Sequence, residues 1–309
     1  MPDIAIARSD TAVTVSAAGV EVARYVYDED APAFEGPKPY LHPIRTVGGA
    51  PLTGFRPWDH RWHKGLQMTL TDVSGQNFWG GNTYVHGEGY IPLDNVGRVR
   101  HDAFTTLSDG DAAVVEEELT WVTQAGSEWL RERRTLRFHS FDVADGRWVL
   151  DLTTTLRNIS DQDLVLGSPT TNGRENAGYS GLFLRLARSF TGGAVTVPEA
   201  DGPVTRMGAA ADAVMGSAAP WLALSGPLDE VDGGATVLAF AGHSSGEPDV
   251  RWFVRSEPFP TLAPSPTFSE TVVLAPGDEL HLSHRFAFLD RERDAEELAR
   301  LAEELSAGV

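Results

Sequence analysis

Cysteine is absent from the 309 residues. With it go disulfides, thiolate metal sites, iron–sulfur clusters and a cysteine nucleophile, and the absence suits a reducing compartment. Long apolar runs are missing as well: nowhere do about 18 apolar residues follow one another, as a membrane-crossing helix requires. The opening MPDIAIARSD lacks the apolar core of a secretory signal. The sequence therefore reads as cytoplasmic, with no membrane expected as a partner. Positive charge is scarce too. Lys and Arg number 25 against 44 Asp and Glu, a formal net charge of -19, and no Lys/Arg run gathers the basic residues into one patch. Nucleic acid is excluded as an expected partner, because it is bound through concentrated positive charge.

What the chain does have is period-two patterning. From Arg147 to Asn158, Trp148, Leu150, Leu152, Thr154 and Leu156 fall on one face, while Asp151, Thr153, Thr155 and Arg157 fall on the other, the signature of a half-buried strand. The same alternation runs through Leu280, Leu282, His284, Phe286 and Phe288, through Leu182, Leu184 and Leu186, and through Val250, Trp252 and Val254. Most of the 31 Gly and 19 Pro lie between such runs, so the strands are punctuated by turns and antiparallel sheets are expected. Helical patterning is confined to about residues 290–307, where Ala295, Leu298, Leu301 and Leu305 form one stripe. The chain thus reads as all-β, a single large antiparallel β-sandwich over residues 1–309 with a C-terminal helix packed outside the sheets. The Ala/Gly-rich segment from Asp201 to Ala219 reads as a surface excursion. Glu116, Glu117, Glu118 and the run Arg131 to Arg137 read as exposed strand faces with cross-strand charge pairing.

Chemistry concentrates between Pro39 and Tyr90, where His42, His60, His63 and His86 are interleaved with Tyr40, Arg45, Trp58, Trp62 and Trp79. Aromatic faces stack on the C–H surface of a sugar ring while His, Arg and Asn satisfy its hydroxyls, so the mixture points to a sugar site on loops. His60 and His63 form an H-x-x-H pair, which on a loop can place both imidazoles on one ion. A His42, His60 and His63 metal site, with His86 or Glu175 completing it, is the alternative to a metal-free site. A second cluster, Asn172, Arg174 and Glu175, supplies groups for hydroxyl binding and proton transfer. Glu257 follows an alternating strand and begins a proline-rich loop, which makes it a second candidate base.

Four segments carry a family resemblance: Pro39-Tyr-Leu-His-Pro-Ile-Arg-Thr46, Asp59-His-Arg-Trp-His-Lys-Gly-Leu66, Asn77-Phe-Trp-Gly80, and Asn172-Gly-Arg-Glu175 leading to Gly181-Leu-Phe-Leu-Arg185. They resemble the bacterial PmoA-like family, a domain of unknown function, over most of the chain. Trp62 stands where relatives often carry another His. The methane oxygenation that the family name implies does not suit a chain without spanning helices. The stretch Phe268 to Phe286, with its Pro276-Gly277 turn, resembles the last strands of galactose-mutarotase-like supersandwich proteins. That resemblance implies a Glu base, with Glu257 at a comparable place, and a His acid.

The expected function is a carbohydrate-active enzyme performing acid/base chemistry, namely epimerisation, elimination or hydrolysis, on a small-molecule carbohydrate, a sugar or modified sugar. His60, His63, Glu175 and Glu257 are the expected catalytic groups, and His42, Arg45, Trp79, His86, Asn172 and Arg174 the expected substrate contacts. No cofactor is expected, a divalent metal being the alternative. The rival functions are a non-catalytic carbohydrate-binding protein and a His-ligated metal-dependent oxidase or lyase. A homo-oligomer is compatible with the sequence.

Overall fold

A computed structural model of the protein describes residues 3–198, 205–207, 211–229, 231–242 and 250–307. Strands account for 51% of the structure and helix for 7%, so the period-two reading holds and the fold is all-β. Two large antiparallel sheets dominate the described residues. One has eight strands in the order Ile4–Arg8, Ala12–Ala17, Val20–Val26, Tyr40–Ile44, Leu66–Thr69, Gly181–Arg185, Thr261–Ser265 and Arg251–Arg255. The other has nine, and its centre is Gly234–Ala241, Glu279–Leu289, Arg147–Asn158 and Glu128–Asp142.

The two inner faces share one apolar core. Leu41, Leu66, Leu182, Leu184 and Leu262 from the first sheet meet Leu136, Leu150, Leu224, Phe286 and Phe288 from the second, each buried side chain contributing about 1.5–3 kcal/mol. The outer face of the nine-stranded sheet carries Val149, Ala223, Leu238 and Ala287, which are covered by Leu298, Leu301 and Leu305 of the C-terminal helix. That helix is Ala295–Leu305, shorter than the patterning suggests. Asp294 takes the N-cap position and forms a capping box with Glu297, so the preceding residues serve as the approach rather than the first turn. The outer face of the eight-stranded sheet buries a third, aromatic cluster of Trp79, Phe183, Phe253, Ala263 and Phe268.

Two expectations are corrected by the structure. Thr205–Met207 pairs with Ala194–Val197 as a strand, so part of the 201–219 segment extends a sheet; residues 201–204 and 208–210 lie outside the described residues. The acidic and basic strand faces are also not wholly exposed. Glu116, Glu118, Arg131, Arg133 and Arg137 do point outward, but Glu117, Glu132 and Arg134 are buried between the sheets. Arg134 donates to both oxygens of Glu132 at 2.7 and 2.9 Å and to Tyr25 Oη at 2.8 Å. Tyr25 donates to Glu117, whose other oxygen lies 2.7 Å from His101 Nδ1. Trp121 Nε1 and Thr154 Oγ1 each donate to Glu132 at 2.8 Å. Period two told which face these residues share, and the inner face accepts their charge because every carboxylate is paired.

Arg134→Met leaves Glu117 and Glu132 buried without their common cation. The expected loss is about 3–5 kcal/mol, measured as a lower urea midpoint at neutral pH; an unchanged midpoint would refute the role given to this cluster.

Candidate functional site

Along Gly181–Arg185 the alternation divides the strand between two environments. Leu182 and Leu184 enter the main core, whereas Phe183 belongs to the aromatic cluster on the opposite side. Arg185 shares that opposite side by parity. Two strands along, past Thr261–Ser265, Phe253 and Arg255 occupy the outer face of Arg251–Arg255, while Trp252 and Val254 face the core. The outer face of these strands is the floor on which the site is built.

The loop bearing His60, Trp62 and His63 is clamped to this floor through backbone hydrogen bonds. Gly54 N donates to Arg185 O at 3.0 Å, Arg185 N to Gly65 O at 2.8 Å, and Gly65 N to Gly54 O at 2.9 Å. Gly65 has φ +58°, and a Cβ there would lie 2.1 Å from Leu41 O, so neither the conformation nor the space admits a side chain. Lys64, fully buried, places Nζ 2.5 Å from Glu29 and 3.4 Å from Glu35. Arg56 grips the two oxygens of Glu35 at 2.6 and 2.9 Å. Burial alone would raise the Glu35 pKa, yet Arg56 and Lys64 hold it below the ordinary carboxylate value. Within the loop, His60 N donates to Pro57 O and His63 N to His60 O, each at 3.0 Å. These are successive turns rather than a helix. Trp62 lies over Gly81, where a Cβ would come within 2.7 Å of the indole.

These elements enclose a cavity of about 440 Å³. His60 and His63 stand on one side and Phe253, Arg255 and Phe259 on another, while Trp62, Trp79 and Tyr179 supply aromatic wall. Tyr90 and Arg174 come from two further segments, and Asn82 adds a side-chain amide. Tyr90 and Tyr179 hydroxyls lie 2.5 Å apart, and Arg174 donates to Tyr90 Oη. Among the described residues neither Asp nor Glu lines the cavity.

The two imidazoles stack, with ring centres 4.8 Å apart and planes 27° from parallel. Burial pushes His60 below its ordinary pKa, opposed by Asp59, whose Oδ2 lies 3.2 Å from His60 Nδ1. His63 is pushed well below the ordinary value by burial, then by His60 and Arg185. Arg185 Nη1 lies 3.2 Å from His63 Nδ1. A guanidinium can only donate, so Nδ1 accepts and the proton of the neutral imidazole sits on Nε2. Arg185 is itself buried, with its guanidinium 3.9 Å from the centre of the Phe259 ring. Burial lowers its pKa to about 10.

The structure distributes the expected site residues unevenly. His60, His63, Trp79 and Arg174 line the one cavity, so the early and later sequence clusters do meet. Asn172 lines a small adjoining recess and donates to Asp72 at 2.9 Å. His86 is exposed on the turn beyond Thr83–Val85, packed against Gly173, where a Cβ would lie 2.4 Å from its Nδ1. His42 is absent from the cavity wall: it hydrogen-bonds Thr53 at 2.9 Å and stacks on Phe55, and burial lowers its pKa to about 4. Arg45 donates to Gly49 O at 3.1 Å and so ties its own turn. Glu175 and Glu257 are exposed, and neither lines the cavity. Among the described residues no three His, Asp or Glu side chains are grouped as metal ligands, and His42 does not join the stacked His60 and His63.

Sequence reasoning gave no role to Arg185, Arg255, Tyr90, Tyr179 or Phe259. For Arg185 a signal existed: in Leu182-Phe-Leu-Arg185 the polar end shares parity with Phe183, not with the leucines. The others are joined only by strand pairing and loop packing.

A model of a family of unknown function, DUF6807, matches residues 12–303. The chain belongs to this family. The match agrees with the expectation of a domain of unknown function and does not itself connect the chain with the PmoA-like family. No curated protein matches the chain. Among solved structures it is similar to the GH36 α-galactosidase AgaB from Geobacillus stearothermophilus, at 12% identity and a TM-score of 0.47, covering 93% of this chain and 41% of that one. The galactose 1-epimerase from Lactobacillus acidophilus NCFM aligns over 94% of this chain and 99% of its own, at 8% identity and a TM-score of 0.39. The chain thus spans about two-fifths of the galactosidase. Likeness this low leaves the chemistry of the site to be read from the residues of this chain.

Gly65→Ala is expected to destabilise the protein by more than about 1 kcal/mol, since strain at positive φ adds to a backbone clash. A thermal melt tests this, and a variant as stable as the parent would show that the loop is not held as described.

Proposed function

We propose that the cavity binds a sugar and performs acid/base chemistry on it, with His60 as the proton-accepting group and His63 as a hydrogen-bond donor. The observation that carries this reading is the pair of stacked imidazoles in the wall of a cavity otherwise built of aromatic rings and guanidinium groups. Trp62, Trp79 and Tyr179 provide ring faces for the C–H surface of a pyranose. Asn82 and the Tyr90 hydroxyl provide partners for sugar hydroxyls. The volume suits a ligand of one or two sugar units, near the low end for small-molecule sites.

The division of labour follows from the surroundings. Asp59 beside Nδ1 of His60 favours a proton there and leaves the other ring nitrogen as the base. When a C–H next to a sugar carbonyl loses its proton to His60, the electron pair moves into the carbon framework and negative charge collects on the carbonyl oxygen. Arginine side chains and the Nε2–H of His63 are suited to meet that charge in a water-poor pocket. Return of the proton, or departure of a neighbouring oxygen substituent, gives epimerisation or elimination. Glu175 and Glu257 take no part in this scheme, because they do not line the cavity.

The test is to incubate the full chain with a panel of neutral and acidic mono- and disaccharides and their keto derivatives in deuterium oxide, following loss of C–H signals by proton NMR. Exchange on at least one sugar is expected, lowered about 10²–10⁴-fold in His60→Asn with binding retained. Binding without exchange would support the non-catalytic binding protein instead. His60 must be neutral to accept a proton, and its pKa lies below 6.5. The rate should therefore be level above about pH 6.5 and fall as acid protonates the ring; a rate rising towards acid pH would overturn the assignment.

A further inference from the structure

The cavity departs from the rest of the molecule in the sign of its charge. The chain carries 44 acidic against 25 basic residues, yet among the described residues the wall holds Arg174, Arg255 and two imidazoles and no carboxylate. Behind the wall stands Arg185, which is 1% exposed. Its direct contacts are a neutral imidazole and an aromatic ring, and the negative charge that favours its protonated form, Asp59, acts from beyond salt-bridge distance. Among the described residues no carboxylate oxygen lies within 4.0 Å of Arg174, Arg185 or Arg255. Two other buried cations, Lys64 and Arg134, each have two carboxylates within that distance, while buried Lys38 is held by the backbone carbonyls of Gly36 and Trp79. A buried guanidinium with no carboxylate in direct contact keeps a desolvation cost that close pairing would offset.

We infer that the sugar taken by this cavity carries an anionic oxygen group, a carboxylate or a phosphate, for which Arg174, Arg185 and Arg255 are the counter-charges. The inference rests on the carbohydrate reading above and narrows it to acidic sugars. The planar fork of a guanidinium matches either group with two parallel hydrogen bonds. The aromatic walls still hold the ring, so the anionic group selects among sugars rather than replacing the sugar as ligand.

Isothermal titration of the full chain at low ionic strength tests this with D-glucuronate, D-glucose 6-phosphate, D-glucose and inorganic phosphate as probes. At least one acidic sugar is expected to bind about tenfold or more tighter than D-glucose, an advantage that shrinks with added salt. The two acidic probes tell carboxylate from phosphate. Arg255→Gln, at a partly exposed position, is expected to remove most of the advantage while leaving the melting temperature within a few degrees. Arg185→Lys keeps the charge but loses the fork, and its affinity for the preferred acidic sugar should fall as well. Equal binding of acidic and neutral sugars would overturn the inference and leave the carbohydrate reading standing. Binding of inorganic phosphate with no sugar bound, or no binding at all, would overturn both.

Discussion

Arg185 is the residue on which the rest of the site depends. Its backbone N–H and C=O hold both ends of the loop carrying His60 and His63, and its side chain reaches into the space beneath them. There it donates to His63 and packs against Phe259. One residue therefore sets the loop position, the tautomer of an imidazole and the sign of the local field. The strand can present it because Leu182 and Leu184, alternating with Phe183 and Arg185, anchor the opposite side in the inter-sheet core.

The molecule handles buried charge in two ways. In the inter-sheet cluster around Arg134 and in the Lys64, Glu29, Glu35 and Arg56 group, cations and carboxylates meet at close range. Paired charges of this kind bring directional hydrogen bonds that hold strands and loop in one register, at a desolvation cost that the pairing offsets. Around the cavity, among the described residues, Arg174, Arg185 and Arg255 have no carboxylate in direct contact, and Asp59 acts on Arg185 from further away. The same residue types thus serve in both places, separated by whether a carboxylate lies in direct contact with them.

The architecture was legible in the sequence because period two and turn residues are local signals. Arg147 to Asn158 is a strand over the whole span that its alternation marks, and the single apolar stripe near the C-terminus is the helix, trimmed by its Asp294 cap. Burial of Glu117, Glu132 and Arg134 was not legible. Alternation assigns these residues to one face, but whether that face can hold charge depends on partners contributed by other strands, such as Tyr25 from Val20–Val26.

By itself, the sequence determined that the chain is a β-sandwich without thiol chemistry, and that its imidazoles and tryptophans gather in one segment. It also placed Arg174 in a second polar cluster. Only the tertiary structure decided that Arg174 lines the same cavity as His60 and His63 while Glu175, one residue on, does not. Neighbouring residues in a loop point in different directions, and long-range packing selects which of them enters a cavity. The same reason brought Tyr90, Tyr179 and the Arg255–Phe259 stretch together from three segments. None stood out in its own stretch of chain, and the cavity gives them neighbours distant in sequence, as Tyr90 has in Tyr179, 89 positions along the chain.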